Sequence, residues 1–147
     1  MLLKNAMAIY QFVFFLVPRS WVGSPEFSIG ALFNEEGYVD TNAAWKAYGS
    51  VSELEKRFSS IFPENESGEV GIRIWGEEAG NDIQLFYSGD VVEAVQVRLD
   101  KRNLSYSSLS DIVEVSKRVK CSIFLPRKKI VIDPDSTQLM EFIKGEK

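Results

Sequence analysis

Three segments, Ile72-Arg-Ile-Trp-Gly76, Asn81-Asp-Ile-Gln-Leu-Phe-Tyr87 and Val91-Val-Glu-Ala-Val-Gln-Val-Arg-Leu-Asp100, decide the fold of this chain. Each is rich in β-branched and aromatic residues, and short polar turns separate them. They read as three consecutive strands of an antiparallel meander, with Ser88-Gly89-Asp90 as a tight hairpin turn. Because side chains alternate along a strand, Val70, Ile72 and Ile74 are expected in the core, with Arg73 and Trp75 on the opposite side. The same alternation puts Ile83, Leu85, Val95, Val97 and Leu99 inward. It leaves a mixed second face bearing Trp75, Gln84, Phe86, Gln96 and Arg98, open to water or to a partner.

The rest of the chain packs around that meander. Ala8 to Val17 is an aromatic, β-branched run without a turn former, and reads as a central or first strand that Pro18 stops. A short helix is expected from Asn42 to Tyr48, ended by Gly49. A second helix carries Val51, Leu54, Phe58 and Ile61 on one stripe, opened by Ser52 with Glu55 or by Ser50 with Glu53 as a capping box. Ser107 or Ser108 is expected to cap a third, with Leu109, Ile112, Val113 and Val119 inward. Cys121 to Leu125 and Ile130 to Ile132 form an edge hairpin, and Leu139, Met140, Phe142 and Ile143 face inward on a last helix. Strands and helices do not alternate strictly, so the class is α+β: a mainly antiparallel sheet with a central three-stranded meander and helices packed on one face. Without a repeat or linker, 1–147 is one domain, with 1–6 as a frayed extension and Met7 as an alternative start.

Composition narrows the function classes. The 147 residues are 45% hydrophobic and 26% charged, with ten Phe, five Tyr and three Trp, which is the make-up of a packed domain. A net charge of -4 lacks the basic footprint of a nucleic-acid binder. The apolar run near the start is too short for a membrane span, which needs about 20 residues. The chain has no histidine, which removes Ser-His-Asp and Cys-His catalysis and every His-containing metal site. The one cysteine, Cys121, sits in an apolar strand and reads as an inert core thiol.

No catalytic residue, metal site or cofactor is assigned. The candidate binding residues are Arg73, Trp75, Glu77, Glu78, Asp82, Phe86, Arg98 and Asp100. The acidic turn from Gly76 to Asp82 is dense in oxygen donors of the kind that hold Ca²⁺ or Mg²⁺, but it lacks calcium-loop spacing and fits an ordinary charged turn better. Arg98 and Asp100 share a face at period two. They form either a platform for an anionic group or a solvated ladder of ion pairs. Lys117, Arg118 and Lys120, with Arg127, Lys128 and Lys129, are basic enough for one phosphate patch, although such residues more often line a solvated edge.

On Ile74-Trp-Gly-Glu-Glu78, Asn81-Asp-Ile83, Val97-Arg-Leu-Asp100, the opening Tyr10 to Trp21 and the Ile130-Val-Ile-Asp-Pro-Asp135 segment, the chain resembles small uncharacterised single-domain bacterial proteins. The resemblance implies a cytoplasmic protein of the kind of immunity proteins, which neutralise a toxin by binding it. The expected function is therefore a non-enzymatic protein-binding domain, with a protein partner or self-association and neither nucleic acid nor membrane. The alternative is a carboxylate- or metal-dependent enzyme, or a small-ligand binder, using Glu77, Glu78, Asp82 and Asp100.

Overall fold

The structure, a computed structural model, describes residues 10–77 and 80–145. The expected frayed extension and alternative start at Met7 lie outside the described residues, as does Glu78. The chain forms β1 (Gln11–Pro18), α1 (Arg19–Val22), α2 (Asn42–Trp45), α3 (Val51–Phe58), β2 (Glu64–Asn65), β3 (Ile72–Gly76), β4 (Asp82–Ser88), β5 (Val91–Asp100), α4 (Tyr106–Arg118), β6 (Cys121–Leu125), β7 (Ile130–Ile132) and α5 (Ser136–Gly145). The strands make one antiparallel sheet in the order β2-β3-β4-β5-β1-β6-β7. This is the α+β class that the sequence predicts, with the meander β3-β4-β5 intact inside it.

β1 lies between β5 and β6 and is buried on both faces except at Val13. That explains why its sequence is a continuous apolar run rather than an alternation. One face of the sheet carries two rows of core side chains. Trp75, Ile83, Val97 and Phe14 stand side by side across β3, β4, β5 and β1. Leu85, Val95, Leu16, Ile123 and Ile132 form the second row, which Arg73 ends on β3. α3 closes over the first row: the Phe58 ring meets Trp75 edge-on at 5.3 Å, and Trp75 Nε1 donates to Ser59 Oγ at 2.8 Å. α4 packs on β6, and α5 packs on α4.

The facing of β3 is the main correction to the sequence reading. Trp75 is fully buried in the core, whereas Ile72 and Ile74 lie half-buried on the other face and Val70 is fully exposed. Burying one indole removes more apolar area from water than burying either isoleucine, and α3 sits over the Trp75 column. One helix start also differs from expectation. α4 begins earlier, with Ser105 Oγ accepting from Ser108 N at 3.0 Å, because Ser105 holds the extended backbone a cap needs. α3 starts at Val51 with Ser50 at the N-cap position, the second of the two expected registers, but without a side-chain cap bond, and Glu55 turns to Arg73.

The second face is covered at the β6 end by Phe33, whose ring meets Phe124 edge-on at 5.7 Å. The chain leading into α2 is tied to β5 by Thr41 Oγ1, which donates to Glu93 O at 2.8 Å. The assignment of Trp75 to the core has a direct check. Trp75→Ala should cost about 3–5 kcal/mol, the range for deleting a buried aromatic, whereas Ile74→Ala should cost clearly less. Urea unfolding of both variants measures the difference, and equal losses would return Trp75 to an open face.

Candidate functional site

The expected site residues divide between three places. Arg73 lies on the core side of β3, where its guanidinium emerges past Trp75 with Cζ 5.2 Å from the ring centroid. It grips two carboxylates at once: Nε and Nη2 donate to Glu64 at 2.7 and 2.6 Å, and Nη1 and Nη2 reach Glu55 at 2.7 and 3.0 Å. These bonds hold Glu55 below its usual carboxylate range. They raise Arg73 further above its already high value, Glu64 contributing first and Glu55 second. Glu55 and Glu64 were not among the sequence candidates, because one lies on a helix and the other on a two-residue strand, with no spacing to link them to Arg73.

Asp82 and Arg98 face each other in direct register on β4 and β5, on the second face. Arg98 Nε donates to Asp82 Oδ1 at 2.8 Å and Nη2 donates to Oδ2, a bidentate fork. Asp82 is fully buried and only the edge of Arg98 meets water. Gln84 pairs with Gln96 on the next rung, and both are buried. Phe86 is buried as well. The mixed face therefore exists, but as an interior polar seam rather than an open surface.

Asp100 ends β5 and turns to its own neighbour. Its carboxylate accepts from Arg102 N at 2.9 Å and from Arg102 Nε and Nη2 at 3.0 Å each, while Arg102 lies over the Tyr10 ring at 3.6 Å. The Arg102 side chain, first among the causes, lowers the Asp100 pKa. Asn81 Oδ1 accepts from Asp100 N at 2.7 Å and stitches the β3–β4 turn to the end of β5. Gly76 makes that turn possible: at φ +97, a Cβ there would sit 2.3 Å from Asn81 O. Glu77 belongs to the turn, its N–H donating to Asn81 O at 3.1 Å.

Asp82, Arg98, Asn81, Asp100 and Arg102 thus come together at one end of the meander, and Arg73 with Trp75 does not join them. Each aspartate in the group is clasped by a guanidinium, an arrangement that neutralises charge and fixes register. Among the described residues no group of three or more acidic or Cys side chains is placed to hold a metal ion. Cys121 is buried, and desolvation pushes its thiol pKa well up, so it stays protonated. The two basic clusters are separate, because Lys120 precedes and Arg127 follows β6, a strand about 15 Å long.

The rim of the sheet is where side chains are free to meet a partner. The loop from β2 to β3 lines a cleft of about 590 Å³ with Glu64, Glu66, Glu69, Val70 and Arg73. Ser67 Oγ donates to Ile72 O at 2.6 Å, with Glu69 O also in reach at 2.9 Å, and accepts from Glu69 N at 3.1 Å, so the loop is held from within. Tyr87 N donates to Gly71 O at 2.9 Å, and Gly71 takes φ +85 to allow it. Val70 stands at the tip, 104% exposed, and sequence alternation had put it in the core. No helix among the described residues is long and apolar enough to cross a membrane. Comparison with protein-family models, curated proteins and solved structures finds no significant match, so the chemistry of these side chains carries the functional reading.

The Asp82–Arg98 fork makes a specific demand on stability. Arg98→Met should cost about 3–5 kcal/mol, because it strands a buried carboxylate, and Asp82→Leu with Arg98→Met should recover most of that loss. Chemical denaturation of the two variants decides it. A single variant as stable as the parent would show that Asp82 is not sealed from water.

Proposed function

We propose that this chain is a non-enzymatic protein-binding domain that engages a basic partner at the acidic β2–β3 rim, in the manner of an immunity-type inhibitor. The observation that carries the reading is Val70: an aliphatic side chain wholly in water, next to Glu69 on a hydrogen-bonded loop that also carries Glu66. An apolar contact ringed by charge is the usual composition of a recognition surface, with the centre supplying affinity and the rim supplying steering. Arg73 is the only basic residue between Glu64 and Glu93, so the segment that forms this rim is strongly acidic. Neither Glu66 nor Glu69 is within ion-pair distance of a cation among the described residues.

The expected anchors Trp75 and Phe86 are enclosed in the protein and would meet a partner only by unpacking the sheet, so the proposed surface shifts to the loop beside them. The same charge argues against symmetric self-association at this rim, since two copies would set Glu66 and Glu69 against their own equivalents. A bacterial, cytoplasmic setting belongs to the same proposal, and a lone reduced cysteine is compatible with it.

The test compares immobilised parent chain with Glu66→Lys/Glu69→Lys and with Val70→Asp in native lysate at low salt. A basic protein retained by the parent and lost at least tenfold with both variants is the expected result. Equal retention on all three, or a parent chain that elutes as a symmetric dimer through this rim, would overturn the proposal.

A further inference from the structure

A second surface of opposite charge lies where α4 ends. Arg19 and Ser20 at the start of α1, Tyr48 after α2, and Lys117, Arg118 and Lys120 at the end of α4 line a groove of about 730 Å³, within the size range of small-molecule clefts. The groove is built at the end of the β1–β6 ladder. Pro18 and Cys121 are partners in the β1–β6 ladder, and the ladder is extended by Arg19 N donating to Lys120 O at 2.9 Å. That bond fixes the spacing of two cationic residues from distant parts of the chain. Tyr48 Oη donates to Val119 O at 2.8 Å and holds the opposite wall.

Lys120 takes φ +57 just past the helix, where Lys120 N donates to Lys117 O at 3.0 Å. This is the left-handed position that glycine ordinarily fills at a helix end. A lysine there bears a backbone strain that glycine would avoid, as Lys129 at φ +55 does in the β6–β7 turn, so the case for Lys120 rests on its place in the groove. The macrodipole of α4 accounts for Lys117 and Arg118 in its last turn. It does not account for Arg19, which belongs to another element, or for a non-glycine residue at position 120.

One carboxylate, Glu53, lines the groove with the cations, and the acidic side chains here sit in exposed i,i+4 pairs. Glu53 reaches Arg57 at 3.6 Å, and Glu114 reaches Arg118 at 3.4 Å. Arg19, Lys117 and Lys120 are exposed and have no ion-pair partner among the described residues. Three cations on a rigid frame, one a guanidinium able to grip two oxygens, suit an extended anion better than a single one.

We propose that this groove is a binding site for a polyphosphate-bearing small molecule, with Arg19, Lys117 and Lys120 as its phosphate ligands. The site is independent of the acidic rim.

The test is a titration of ¹⁵N-labelled full-length chain with inorganic tripolyphosphate at fixed ionic strength, with sulfate as the reference anion. Saturable shifts confined to Arg19, Tyr48 and Lys117 to Lys120, and affinity at least tenfold above that for sulfate, are the expected result. Lys120→Gly is the decisive variant: glycine is at home at that φ, so the protein should keep or gain thermal stability while losing at least fivefold in affinity. Arg19→Gln should lose a similar factor, and Lys128→Gln at the β6–β7 turn should lose none. ATP binding with the same affinity and shifts as tripolyphosphate would assign the phosphate chain alone as the ligand. Tighter ATP binding with added shifts around Tyr48 would assign a nucleotide. The proposal is overturned by shifts spread evenly over all lysines, by parity with sulfate, or by unchanged binding in both Lys120→Gly and Arg19→Gln.

Discussion

The sheet depends on β1 being threaded between β5 and β6. Remove that strand and two antiparallel units remain, the β2–β5 group on one side and the β6–β7 hairpin on the other, with no ladder between them. Phe14, Leu16 and Val17 are fully buried in it, and its neighbours supply hydrogen bonds along both edges. Every pairing it makes is long in sequence, joining residues near position 15 to residues near 97 and 123. Such contacts carry a large loop-closure cost, which the apolar density of the strand has to offset.

Once β1 is in place, the polar groups of the second face fall into an interior seam. Asp82, Gln84, Gln96 and Asp100 are buried there, and a buried carboxylate persists only with a partner. Arg98 and Arg102 supply those partners. Arg73 does a different job on the other face, clamping Glu55 of α3 and Glu64 of β2 over the Trp75 ring, so that helix, edge strand and core row are held by one guanidinium. The arginines that look like a binding platform in the sequence are therefore largely consumed by the fold. Standing outside these pairs are Glu66 and Glu69 at the β2–β3 rim and Arg19, Lys117 and Lys120 beyond α4.

Much of the fold could be read from the chain. The meander, the continuous apolar strand, the stripe of Val51, Leu54 and Phe58, and the hairpin after Cys121 are all carried by local periodicity, which survives into the structure. What could not be read was which side of β3 is covered. Ile72 and Ile74 against Arg73 and Trp75 is an ambiguous alternation, since each set contains a residue that can be buried. The answer comes from α3, whose position over Trp75 is a tertiary fact. The same ambiguity misplaced Trp75, whereas Phe86 does lie on the second face, as the alternation predicts, but within an interior seam. Glu55 and Glu64 were invisible for a related reason: their partner is Arg73, 18 and 9 residues away. Val70 stands outside β3, which starts at Ile72, and Gly71 at positive φ separates it from the strand alternation used to place it.

Native-state hydrogen exchange, resolved by residue, tests the central place of β1 most directly. If β1 joins the two halves, its amides and their partners on β5 and β6 exchange only through global unfolding, while β2 and the outer edge of β3 open earlier. Exchange of β1 amides through local opening, at rates well above those of β4, would contradict this account. It would make the meander a unit that stands without β1.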